Sequence, residues 1–169
     1  MKQPLNLILA FFALFLQFSM NAQCSDSSVI YKSFKAKWNQ KVEIFKEGTW
    51  KLPDVDFTKS KVDSFELLHT LQRSGINMIV NLTKTGCIKR VSLLAKKDEN
   101  LDVQSLVAMI YLFEFFNHEL SSYDRQKVLD GLKNESLENK KPSSKVAGKN
   151  TYVFEPGLIV NVLTVFIGS

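Results

Sequence analysis

The sequence predicts an α+β fold: a two-layer sandwich in which an antiparallel sheet, a meander plus a C-terminal hairpin, packs on a long buried helix in the order α-βββ-αα-ββ. Three stretches carry that expectation. Residues 101–120 (LDVQSLVAMIYLFEFFNHEL) hold an unbroken apolar run over 106–113. A helix with apolar residues on nearly every side has to be wrapped by other elements. Residues 63–96 alternate with period two in three successive segments, each pair joined by a connector ending in glycine, which suits hairpin loops with a left-handed position. Residues 158–167 (LIVNVLTVFI) are apolar on both parities, the pattern of a strand interior to a sheet.

The chain begins with a segment outside that fold. Lys2 precedes a largely apolar stretch, LNLILAFFALFLQF, and the more polar SMNAQ follows. This is the layout of a secretory signal peptide over 1–22, too short for a comfortable membrane span. Residues 23–169 then form a single exported α+β domain, long enough for a real core, with localisation periplasmic or secreted. Cys24 raises lipid anchoring, but Gln23 stands where a small residue is wanted, so membrane association is expected only if Cys24 is lipidated. In an oxidising compartment the two remaining cysteines, Cys24 and Cys87, are expected to pair as a disulfide. The formal net charge of +5 is spread along the chain without a basic block, which argues against a nucleic-acid partner.

Within the domain, Ile30, Phe34 and Trp38 recur at helical spacing and predict an amphipathic helix over 27–44, capped by Ser27 or Ser28. Its lysines, Lys32, Lys35 and Lys37, fall on the solvent side. The meander is expected as strands at 65–71, 76–82 and 87–94. A helix over 61–73 competes for the first strand, and the strand is preferred because the following hairpin needs a partner. After the central helix at 101–118, Ser121 and Asp124 form a capping-box signature for a second helix at 122–133 whose buried side is Val128, Leu129 and Leu132. Residues 134–150 (NESLENKKPSSKVAGKN) read as a polar loop. A hairpin of 151–154 and 158–167 turns at Glu155-Pro156-Gly157.

Chemical signatures are sparse. There is no Gly-rich phosphate loop, no Gly-x-Ser-x-Gly, no His-Glu-x-x-His and no Cys-x-x-Cys. On the central helix Tyr111, Glu114 and His118 share one polar stripe, which could serve a proton-transfer or metal site, although no further ligands have recognisable spacing and a surface Glu–His pair explains it as well. His69 is expected as a hydrogen-bonded core histidine. Aromatics crowd the N-terminal third, where Tyr31, Trp38 and Trp50 are interleaved with lysines. Core packing accounts for most of such residues, and an aromatic, basic patch for a protein partner is the functional alternative. Candidate binding residues are therefore Tyr31, Trp38, Trp50, Tyr111, Glu114 and His118, with no catalytic residue, metal or cofactor assigned.

The expected function is that of a small exported non-catalytic domain that binds another macromolecule, most simply a protein. A carrier of a small apolar ligand held between sheet and helix is the alternative, and a hydrolase or metal-dependent enzyme the third. An exposed apolar or aromatic patch would favour the first, which loses ground if Tyr31, Trp38 and Trp50 are all buried; a cavity of a few hundred cubic ångströms between helix and sheet would favour the second, and convergence of Glu114, His118 or His69 in a cleft the third.

Overall fold

The structure, a computed structural model, describes residues 24, 29–44, 50–57, 64–71, 75–96 and 102–168; the expected leader and its cleavage site lie outside them. Element β1 (Val29–Ile30) leads into α1 (Tyr31–Lys41) and a 3-10 turn (Val42–Ile44). The meander follows as β2 (Ser64–Leu71), β3 (Ile76–Thr83) and β4 (Cys87–Lys96). Two helices, α2 (Asp102–Phe116) and α3 (Ser122–Asn139), precede β5 (Ser143–Ala147), β6 (Asn150–Glu155) and β7 (Val160–Phe166). The strands form one seven-stranded antiparallel sheet, ordered β2-β3-β4-β7-β6-β5, with β1 added beside β4.

Side-chain parity gives the sheet its two faces. On β3, Ile76, Met78, Val80 and Leu82 are fully buried, while Asn77, Ile79 and Asn81 are only half-buried. Strand register extends the buried set into rows across the sheet. Leu67, Val80, Val91, Val165 and Tyr152 form one, and Met78, Leu93, Leu163 and Phe154 another. Ala108, Leu112 and Phe113 of α2, with Leu129 and Leu132 of α3, complete the core with these rows. The Phe113 and Tyr152 rings lie 4.2 Å apart. Lys145 on β5 reaches Glu135 of α3 at 2.9 Å, which ties the helix to the same side.

The third helix, α1, packs Phe34 against Phe115 and Phe116 of α2, with ring centroids at 4.8 and 5.8 Å. The segment 50–57 is strapped along α1 by side-chain bonds to its backbone. Tyr31 donates to the Pro53 carbonyl (2.9 Å), Trp38 Nε1 to the Trp50 carbonyl (2.9 Å), and Asn39 accepts from the Leu52 amide (2.7 Å).

The α+β class, the meander and the interior position of the last strand agree with the sequence, and residues 64–71 are a strand, not a helix. The second helix is capped as expected, Ser121 Oγ accepting from the Asp124 amide at 3.1 Å. Four boundaries differ. First, α1 starts at Tyr31, because Val29 and Ile30 pair with Ile88 and Cys87 and the Tyr31 amide donates to the Gly86 carbonyl at 2.8 Å; Ile30 at the N-cap offers no side-chain acceptor. Second, the expected loop over 134–150 holds the end of α3 and the whole of β5. Ser136, one turn beyond Leu132, is fully buried and its hydroxyl lies 2.5 Å from the Lys141 carbonyl and 3.1 Å from that of Phe154. Ser143 Oγ likewise donates to the Leu132 carbonyl (2.6 Å), so a polar stretch is buried through hydrogen bonds. Third, α2 ends at Phe116, and the fully buried Asn117 turns its amide toward the Tyr152 hydroxyl and the Phe113 carbonyl, which leaves His118 beyond the helix. Fourth, the last strand starts at Val160. A Cβ at Gly157 would overlap the Val160 carbonyl oxygen, and this close turn leaves Leu158 and Ile159 exposed at its tip.

Cys24 and Cys87 are bonded, with Cα atoms 5.6 Å apart and a sequence separation of 63. Closing a loop of that length is worth up to about 4 kcal/mol through the unfolded state. We predict that Cys24→Ser lowers the unfolding free energy by about 2–4 kcal/mol in chemical denaturation. An unchanged denaturation midpoint would show that the bond adds nothing to the folded domain.

Candidate functional site

Three of the six residues singled out in the sequence, Tyr31, Trp38 and Trp50, are 1%, 2% and 5% exposed. This is the core packing preferred for them, and the alternative aromatic patch is not formed: the Tyr31 hydroxyl and the Trp38 indole are bonded to backbone carbonyls of the strap over 50–57, of which Trp50 is itself a part. Burial, with the Asp54 carboxylate adding to it, pushes the Tyr31 hydroxyl far above its ordinary range, so it stays a neutral donor. Tyr152, buried beneath Asn117, is pushed up in the same way.

Four of the six nevertheless meet. Trp38 from α1, Tyr111 and Glu114 from α2, and His118 just beyond it line one hollow of about 170 Å³, together with Lys37, Lys41 and Phe115. Lys41 pairs with Glu114 and its ammonium lies 5.0 Å from the centre of the Tyr111 ring. Lys37 lies 5.6 Å from the centre of the Phe115 ring. A cation over an aromatic face is held by the ring quadrupole. Glu114 thus pairs across helices with Lys41, and the carboxylate beside His118 is that of Glu119, at 3.6 Å. The hollow opens between α1 and α2. The layer between sheet and helices is filled instead by side chains such as Met78, Leu112, Phe113 and Leu163 at 1% exposure or less, close-packed in the manner of a protein interior.

The two histidines do not converge. His118 is 82% exposed at the end of α2 and lines a second hollow with Gly148–Asn150, by the β5–β6 turn. His69 lies on β2, at the opposite edge of the sheet. Burial lowers its pKa, against an opposing hydrogen bond with the Lys51 backbone, and its buried Nε2 has no partner among the described residues. That is the environment of a structural histidine kept neutral. Among the described residues no group of three or more His, Cys, Asp or Glu side chains could hold a metal ion, and no helix is long and apolar enough to cross a membrane.

The larger feature is one that the sequence reading did not assign to a site. All the described helices that meet the sheet do so on one face, and the other face carries a set of apolar side chains. Leu68, Ile79, Ser92, Thr164 and Val153 form its middle row by register. Leu94 pairs with Val162 in the next row, and Phe166 and Val146 lie in the third. Ile79, Leu94, Val153 and Val162 are half-buried and belong to no part of the core; Leu68, Val146 and Phe166 are exposed. The polar groups between them already satisfy each other. Thr70 Oγ1 donates to Asn77 (2.7 Å), Arg90 to Glu66 (2.7 Å), and the Ser92 and Thr164 hydroxyls are bonded at 2.9 Å. Leu158 (97% exposed) and Ile159 are exposed in the turn that precedes β7.

Comparison with known protein families, curated proteins and solved structures finds no match to this chain. The surfaces above therefore stand on geometry alone.

The state of His69 has a pH consequence. Its folded pKa lies below the unfolded value of about 6.5, so the unfolded chain takes up the proton first as pH falls. The stability contribution is complete above about pH 6.5 and is lost as pH drops toward the folded pKa. We predict that His69→Gln flattens this part of the curve of unfolding free energy against pH. An unchanged acid limb in the variant would place the proton uptake elsewhere.

Proposed function

We propose that the mature chain is an exported, periplasmic or secreted, non-catalytic domain that binds another protein through the sheet face that no described helix covers. The observation that carries this reading is the apolar row set on that face, from Leu68 through Ile79, Leu94 and Val162 to Val153, outside the core. Soluble domains expose single apolar side chains freely, whereas contiguous sets of them mark interaction sites.

The physics of the face suits a protein. Six strands about 4.8 Å apart, several residues long at about 3.3 Å each, span roughly 600 Å², the order of area one partner contributes to a specific complex. Its hydroxyls, amides and the Glu66–Arg90 pair are bonded to one another across strands. Covering them leaves few donors or acceptors unpaired, which is the main penalty in burying a polar surface. Export is supported by the leader-like N-terminus and by the Cys24–Cys87 bond, which persists in oxidising compartments. The separation of His69 from His118 and Glu114 supports a binding role over a catalytic one.

The test uses the mature chain as bait in envelope and culture fractions, beside the double variant Ile79→Glu/Val162→Glu. Neither side chain enters the core, so we predict a native fold by circular dichroism and at least about a tenfold loss of any stoichiometric partner, as at interface hot spots. Retention of that partner by the double variant, with loss on a substitution in the helical layer, would move the binding surface off the sheet.

A further inference from the structure

The groove between α1 and α2 is a second surface, on the helical layer, and stands independently of the sheet face. Its inner hollow, about 170 Å³, is walled by Trp38, Tyr111 and Phe115. Cavities of about 150 Å³ accept a benzene ring, so this one has room for a single aromatic side chain. The hollow does not end there. Lys37, Phe115 and His118 also border a more open one of about 600 Å³, which runs past Ser33 and Phe116 to Gly148–Asn150. A volume of that size suits several residues of chain.

Charge narrows the occupant further. The inner hollow has one internally neutralised pair, Lys41 with Glu114. Lys37, on the ridge shared by both hollows, forms no ion pair with any described residue, and neither does Lys149 at the far end. Among the described residues Glu119 is the only carboxylate bordering the outer hollow, and it lies beside His118. The two unpaired ammoniums flank the path from the aromatic hollow outward, so the groove is complementary to negative charge placed beside a ring.

We propose that this groove binds an extended acidic peptide segment, with one aromatic side chain seated between Trp38, Tyr111 and Phe115 and neighbouring carboxylates lying against Lys37 and Lys149. The lysine heads stay at the solvent edge, where they select the charge of the peptide while the aromatic walls supply the contact area.

The probes are three blocked tetrapeptides, Ac-Phe-Asp-Glu-Asp-amide, Ac-Ala-Asp-Glu-Asp-amide and Ac-Phe-Lys-Lys-Lys-amide, titrated into the mature, disulfide-bonded chain. Tryptophan fluorescence and two-dimensional NMR follow binding. The expected result is saturable binding of the first peptide alone, with shifts at Trp38, Tyr111 and Phe115, and weakening by roughly fivefold in Lys37→Glu and on raising salt to about 0.5 M. Ile79→Glu/Val162→Glu is expected to bind it normally, which separates this site from the sheet face. Equal binding of all three peptides, an unchanged affinity in Lys37→Glu, or no saturation of the first peptide at millimolar concentration would each overturn the proposal.

Discussion

The pairing of β4 with β7 joins the two halves of this chain. Arg90 to Lys96 meet Phe166 to Val160 in continuous antiparallel register, bringing the meander and the C-terminal strands into one sheet. Both strands are interior, so each must place an apolar set on the helical side. Val91 and Leu93 do so from β4, and Leu163 and Val165 from β7, all at 1% exposure or less. A one-residue slip would send these four to the opposite face. The helices can cover the sheet only if this register holds, and α2 and α3 fit over the rows that it creates.

One-sided coverage then determines where the molecule can act. The buried rows are consumed by Phe113, Leu112, Leu129 and Leu132, and α1 is consumed on its inner side by Phe115, Phe116 and the strap over 50–57. Two of the described surfaces with apolar character stand out. The sheet face is broad, flat and internally hydrogen-bonded, suited to a large partner. The groove between α1 and α2 is narrow, aromatic and bordered by ammoniums, suited to a chain segment. Neither needs a reactive group; His69 lies on the β2 edge of the sheet, whereas His118 follows α2 by the β5–β6 turn.

Much of the architecture was legible because its signals are local. The glycine-ended connectors foretold the left-handed backbone at Gly75 and Gly86 (φ 65° and 81°), and the apolar density of 106–113 foretold a wrapped helix. The β5 strand was not legible, since Ser143 and Ser136 are buried by bonding to backbone carbonyls that only the folded chain brings near. The same limit applies to the candidate sites. Tyr111 and Glu114 fall on one stripe of a helix and could be found by spacing, but Lys41 joins them from 73 residues away. For Tyr31 and Trp38 the interleaved lysines left a surface patch open beside core packing; on a helix, positions 31, 34 and 38 share one face, and that face turned inward. The sheet face was hidden for the opposite reason. Ile79, Leu94, Val153 and Val162 looked like ordinary members of buried strands until the strand order placed them together on the uncovered side.

The central claim is that one parity of the sheet is buried by the helices and the other is open to a partner. It is tested most directly by methyl NMR of the isolated mature domain with a soluble paramagnetic agent. The account predicts strong broadening at the Leu68, Ile79, Leu94, Val153 and Val162 methyls and little at Ile76, Met78, Leu93 and Leu163. Equal protection of both sets would mean that the sheet is covered on both sides, and the account of its function would fail.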